Sequence, residues 1–213
     1  MLARKTHVFK YITIYRYYQK KVIYMKVTSR ETYKIIRAAL RLKKFRQYQI
    51  SKEEDVTFSL VNRVVNWLVS QKYVVKRTGY YELVSLSAII GLFPLYRKMK
   101  PYVTFDVALP AKQVLEILKG KGALCLTSAL SYYDDYYRDP AIHVYLQNEK
   151  ILNELKSLQK GYTHIEIYSE DLNSDDFATI KGQKITTRIR TIIDLFCANK
   201  AYAAERLIKK EWI

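Results

Sequence analysis

The chain has 213 residues, with 37 Lys and Arg against 20 Asp and Glu and a formal net charge of +17. All of that excess lies before Pro101: residues 1–100 hold 22 basic against 5 acidic side chains, and residues 101–213 hold 15 of each. An apolar content of 49% excludes wholesale disorder, and no run of about 18 apolar residues marks a membrane-spanning helix.

A basic half joined to a neutral half implies a division of labour, with one part facing a polyanion. The length accommodates two domains of roughly 80–110 residues each. Cys125 and Cys197 stand far apart in apolar surroundings and read as buried thiols of a cytoplasmic protein. His7, His143 and His164 are not spaced for zinc, and neither metal nor cofactor is expected.

Residues 1–27 form a basic, aromatic leader. Lys and Arg interrupt its Tyr and Ile between His7 and Lys21, which makes a poor signal-peptide core. Two readings stand for it. In one, Met25 is the natural start; in the other, the leader is a basic arm that contacts phosphates.

From residue 28 the pattern is regular. Ser29 caps a first helix, with Glu31 in its first turn opposite the dipole. Ile35, Ile36, Ala39 and Leu40 make its apolar stripe to about residue 42. Lys34, Arg37, Arg41 and Lys44 lie beside that stripe as a basic face. Residues 48–50 read as a short extended piece. Ser51 then caps a short second helix, with Glu54 completing a capping box. Residues 57–58 turn into a third helix over about 59–71. Its core positions are Val61, Val64, Val65 and Leu68. Residues 73–75 and 80–84 read as strands of a hairpin turning at Arg77, Thr78 and Gly79.

Helix, short strand, helix, helix and basic hairpin is the winged helix-turn-helix plan, here over residues 28–85. Residues 86–101 read as a connector. Residues 102–213 alternate strand and helix as a small mixed α/β domain, so the whole chain is expected to be α+β. In this second domain a hairpin turns around Gly182. Thr127 or Ser128 caps one helix, and Thr187 caps another that runs to about residue 196.

A recognition helix enters the major groove and must carry side chains that reach base edges. In the third helix the positions free of the core are Ser59, Asn62, Arg63 and Asn66. Asn suits adenine and Arg suits guanine because each forms two parallel hydrogen bonds. Thr57 and Ser59 at the helix start can hold a phosphate. Lys76, Arg77 and Thr78 of the hairpin, with Arg30 and Lys34 of the first helix, can reach the DNA backbone. Trp67, beside Leu68, reads as a packing residue.

The neutral half offers no catalytic residues. Asp134 and Asp135, like Asp175 and Asp176, are adjacent carboxylates in loops and read as caps or turns. Ser128 has no local His partner. His143 sits in a strand where it is packed or edge-exposed. A nucleotidyltransferase would place acidic residues where Ile142, His143 and Val144 stand, and no phosphate-binding Gly-rich loop is present. Arg190 and Asp194, four apart, can pair along one helix; an exposed pair of this kind is worth about 0.2–0.5 kcal/mol, so it fixes geometry more than it supplies stability.

Residues 127–130 (Thr-Ser-Ala-Leu), residues 142–146 (Ile-His-Val-Tyr-Leu) and residues 186–195, with Thr187 and the run Arg190-Thr191-Ile192-Ile193-Asp194-Leu195, resemble the C-terminal domain of AbiEi-type antitoxins. The resemblance covers about residues 28–210. It implies an autorepressor that binds inverted repeats at its own promoter as double-stranded DNA. It also implies an antitoxin of a toxin–antitoxin system whose toxin is a nucleotidyltransferase. Monomer and homodimer both stay open. The alternative class is a nucleic-acid-modifying or nucleotidyltransferase-related enzyme whose winged domain delivers substrate. That alternative requires an acidic pair converging on a metal.

Overall fold

In the computed structural model, which describes residues 12–14, 23–25, 28–137, 139–158, 160–169 and 174–212, helices and strands mix in an α+β chain. The chain divides into two compact units, residues 1–96 and 97–213. In the first unit a short strand β1 (Ile12–Ile14) pairs antiparallel with β2 (Ile23–Met25). Both readings of the leader as a whole fall outside the described residues.

Helix α1 (Arg30–Leu42) starts where Ser29 holds extended backbone and its Oγ accepts from the Thr32 amide at 3.1 Å. The predicted stripe is buried, with Ile35, Ile36, Ala39 and Leu40 fully enclosed. Lys43, at φ +60°, ends the helix and turns the chain into β3 (Lys44–Phe45).

The next element corrects the sequence expectation. Residues 48–50 are not extended; they lie inside α2 (Gln47–Glu53), whose N-cap is Arg46. Ser51 is within that helix, and its Oγ donates to the Val56 carbonyl at 2.7 Å. Glu54 does not reach back as a capping box. It is buried and accepts from Arg37 at 3.3 Å. Burial of Ile50 and neutralisation of Arg37 outweigh a local cap pattern. Arg37 therefore leaves the expected basic face, and Arg41 pairs with Glu53 at 2.8 Å.

Helix α3 (Phe58–Ser70) is capped by Thr57 and buries Val61, Val64, Val65, Trp67 and Leu68. Strands β4 (Val74–Arg77) and β5 (Tyr80–Leu83) form the hairpin, and the three-stranded antiparallel sheet has the order β3-β5-β4. Gly79 supplies the positive φ of +82° at the turn. Helix α4 (Leu86–Ile90) and a 3₁₀ turn (Phe93–Leu95) close this unit. Ile89, Ile90 and Phe93 are buried, and Phe93 meets the Tyr33 ring edge-on at 5.5 Å. The apolar part of the expected connector is thus interior to the first unit.

The second unit is built on a six-stranded mixed sheet. Its elements are β6 (Val103–Val107), α5 (Ala111–Leu118), β7 (Ala123–Leu124), α6 (Leu126–Leu130), β8 (Ile142–Tyr145), α7 (Glu149–Ser157), β9 (Thr163–Tyr168), β10 (Phe177–Ile180), β11 (Gln183–Thr186), α8 (Arg188–Cys197) and α9 (Ala201–Trp212). The strand order is β10-β11-β7-β8-β9-β6.

One sheet face is apolar. Val107, Leu124, Val144, Ile165, Ile167 and Ile185 join Val114 and Leu118 of α5 and Leu155 of α7 in a single core. A Cβ at Gly161 would fall on the Val107 carbonyl, so only glycine lets the loop before β9 lie on β6. On α6 the expected cap is corrected: Cys125 holds the N-cap position, and Thr127 and Ser128 lie inside the helix. Their hydroxyls are engaged elsewhere. Thr127 donates to Asp139 at 3.2 Å, and Ser128 accepts from the His143 amide at 2.8 Å.

Candidate nucleic-acid interface

The helical period that buries Val61, Val64, Val65 and Leu68 turns the other side of α3 outward. Ser59, Asn62, Arg63 and Asn66 are all exposed there, and Thr57 spends its hydroxyl on the Leu60 amide at the helix start. Asn62 Oδ1 accepts twice, from Asn66 Nδ2 at 3.0 Å and from Gln47 Nε2 at 3.1 Å. Gln47, on α2, was not visible as a functional residue in the sequence, because no local pattern ties it to α3. The bridge leaves Asn62 presenting its amide nitrogen and Asn66 its carbonyl oxygen. A two-bond contact from Asn62 to adenine needs the Gln47 bridge to open. Arg63 makes no ion pair among the described residues.

The hairpin is less free than its composition implies. Arg77 is held by Glu82 at 3.1 Å and Lys44 by the same carboxylate at 3.2 Å. Arg77 first and Lys44 second hold the Glu82 carboxyl below its ordinary range. Lys76 and Thr78 are exposed. On α1, Arg30 is exposed, whereas Lys34 donates to the Glu54 carbonyl at 3.2 Å and so closes the end of α2. Of the sequence-selected residues, Ser59, Asn62, Arg63 and Asn66 share one helix face. Arg77 and Lys34 are tied to acceptors within the unit.

The second unit holds charge in its interior. Its sheet face opposite the apolar core pairs Asp106 with His164, His143 with Glu166, and Tyr145 with Tyr168 across strands. His143 is fully buried, with Nε2 3.3 Å from Asp139 and Nδ1 3.2 Å from Glu166. Burial and the Lys200 charge lower its pKa against the pull of Glu166 and Asp139, which favours neutral imidazole. Burial pushes Asp139 up, but the Ala141 amide, Lys200 and His143 outweigh it and hold the carboxyl at about 2. A depressed carboxyl contributes stability above its unfolded pKa of about 3.9 and loses it as pH falls. Asp139→Asn is therefore expected to flatten the loss of stability between pH about 4 and about 2, measured by urea unfolding across that range. A variant as acid-sensitive as the wild type would show that Asp139 does not carry it.

The Arg190–Asp194 pair forms along α8 as expected, but its setting is corrected. It is not exposed: Arg190 retains 1% of its surface and Asp194 none. Arg190 Nε donates to Asp194 Oδ1 at 2.9 Å, Arg97 Nη1 lies 3.2 Å from the same oxygen, and the Tyr145 hydroxyl donates to Oδ2 at 3.0 Å. Arg190 also reaches Asp176 at 3.4 Å. Burial raises the Asp194 carboxyl, against the pull of Arg97 and Tyr145. Thr187 caps α8, and Thr191 bonds the Thr186 hydroxyl at 2.7 Å. Arg190, Thr191 and Asp194 thus fasten α8 to β8 and β11, and Thr187 closes the start of the helix. Arg97, Tyr145 and Asp176 were missed in sequence because their partners lie far along the chain. Cys125 and Cys197 are buried free thiols, and burial pushes the Cys125 thiol up, away from reactive thiolate. None of the described helices is long and apolar enough to cross a membrane. No family model, curated protein or solved structure matches the chain.

Proposed function

We propose that the protein is a sequence-specific DNA-binding transcriptional regulator, with residues 28–85 acting as a winged helix-turn-helix on duplex DNA. The observation that carries this reading is the outward face of α3. Ser59, Asn62, Arg63 and Asn66 are exposed together, and the core residues lie on the opposite side of the helix. The order of helix, strand, helix, helix and hairpin supports it, as does the confinement of the whole charge excess to residues 1–100. In this reading Asn62, Arg63 and Asn66 meet base edges, Thr57 and Ser59 meet a phosphate, and Arg30, Lys76 and Thr78 meet the backbone.

The AbiEi-type resemblance extends the proposal. The target is then inverted repeats at the protein's own promoter. The second unit is the antitoxin part, opposed to a nucleotidyltransferase toxin, and the setting is the cytoplasm. Footprinting on the DNA around its own gene tests the first step. Arg63→Ala is expected to cost about 1–3 kcal/mol of discrimination against a substituted guanine position. An Arg63→Ala protein that protects the same sites at the same concentration would remove Arg63 from base reading.

A further inference from the structure

Where β3, the start of α2 and β5 meet lies a concavity of about 440 Å³, lined by Lys44, Phe45, Arg46, Tyr48, Gln49 and Tyr80. Three of these six residues carry aromatic rings. Phe45 is buried and stacks on Tyr81, with centroids 5.9 Å apart and planes at 16°. Tyr48 is 63% exposed, with the Lys52 Nζ 5.6 Å from its ring centroid. Two cations stand among the rings. Lys44 is shared between Glu82 and the Tyr80 ring, whose centroid lies 6.0 Å from its Nζ. Arg46 occupies the N-cap position of α2 without a side-chain cap bond, is exposed, and pairs with no acid among the described residues.

Two contacts locate the concavity. Gln47, next to Arg46, bonds Asn62 on the outward face of α3. Tyr80 pairs across the hairpin with Arg77, beside the turn. The concavity therefore borders the hairpin directly and lies one residue along α2 from the link to α3.

We propose that this concavity seats one backbone nucleotide of a DNA strand, with Arg46 on the phosphate and the Tyr48 and Tyr80 rings against the deoxyribose. This rests on the DNA-binding reading and adds a seat outside the base-reading residues. A guanidinium fork suits phosphate oxygens better than a point charge does. Aromatic walls exclude water from that contact and strengthen it. Such a seat carries no sequence information; it sets the register from which α3 reads.

The test uses the full chain, a duplex from upstream of its own gene, a duplex of unrelated sequence, and deoxyadenosine monophosphate as a free nucleotide. Arg46→Ala is expected to lower the slope of log K against log salt by about 1 and to weaken both duplexes alike. Tyr48→Ala should weaken both severalfold with the slope kept, and Tyr48→Phe should bind as wild type, since the ring is what packs. Thermal unfolding of each variant checks that the fold is intact, and Lys209→Ala in the second unit serves as a cation control that leaves the slope alone. If the wild type binds duplex and Arg46→Ala keeps its slope, the seat is wrong and the DNA reading stands. If the wild type binds no duplex, both fall. Saturable binding of the monophosphate that Arg46→Ala abolishes would reassign the concavity to a free nucleotide.

Discussion

Asp194→Ala is expected to destabilise the second unit by about 3–5 kcal/mol, read as a lower midpoint in urea unfolding of the full chain. The reason is what the substitution leaves behind. Two guanidiniums, Arg97 and Arg190, converge on Asp194 within 3.2 Å and 2.9 Å. Without the carboxylate they face each other in the interior, with Asp176 as the remaining acid at 3.4 Å from Arg190. The Tyr145 hydroxyl loses its carboxylate acceptor as well and keeps the weaker Met99 Sδ at 3.2 Å. A buried charge stripped of its partner costs far more than an exposed pair contributes. Glu205→Ala supplies the contrast. Glu205 and Lys209 have the same four-residue spacing and sit 2.8 Å apart, but both are exposed. That change is expected to shift stability by less than about 0.5 kcal/mol. If the two variants behaved alike, the interior network would not be what holds α8 to the sheet.

Raising salt from 50 to 200 mM should weaken duplex binding by about 10²-fold, if four cations of the interface each displace a counterion. Arg30, Arg46 and Lys76 on the backbone and Arg63 in the groove are the four exposed cations of the proposed interface that pair with no acid among the described residues; Lys52 and Lys72 share that property but are not among the proposed contacts. The formal excess of basic residues is larger. Several of those charges are spent internally: Arg37 on Glu54, Arg41 on Glu53, and both Arg77 and Lys44 on Glu82. A slope near −3.6 follows from four released counterions at about 0.9 each. Affinity that did not change with salt would argue against backbone contacts altogether. Fluorescence anisotropy with a labelled duplex, titrated at several salt concentrations, measures it.

Helices whose start and stripe are local were readable from the chain. Ser29 and Thr187 accept amide hydrogens as the expected N-caps of α1 and α8, and Thr57, expected in a turn, caps α3, which starts one residue earlier than expected. Each cap and the apolar period behind it lie within one or two turns of sequence. The α2 region was misread because Ser51 and Glu54 satisfy a local signature while Arg37, on another helix, claims Glu54. Strand β7 is two residues long, too short to show a period, and exists through its pairing with β8 and β11. The polar sheet face could have been suspected from the alternation of His164, Glu166 and Tyr168 with Ile165 and Ile167, which is period two.

The caps at Ser29 and Thr187, the apolar stripes of α1 and α3 and the placement of charge before Pro101 follow from the chain alone, because each is written in residues close along the sequence. Tertiary structure alone decided which charges are available. Arg190 and Asp194 stand four apart in either setting. Packing of α8 against the sheet moved them from water into the interior, where desolvation turns a marginal pair into an interior anchor. The same packing tied Gln47 to Asn62 and left Arg46 exposed beside Tyr48, a grouping of α2, α3 and β5 that no stretch of sequence contains.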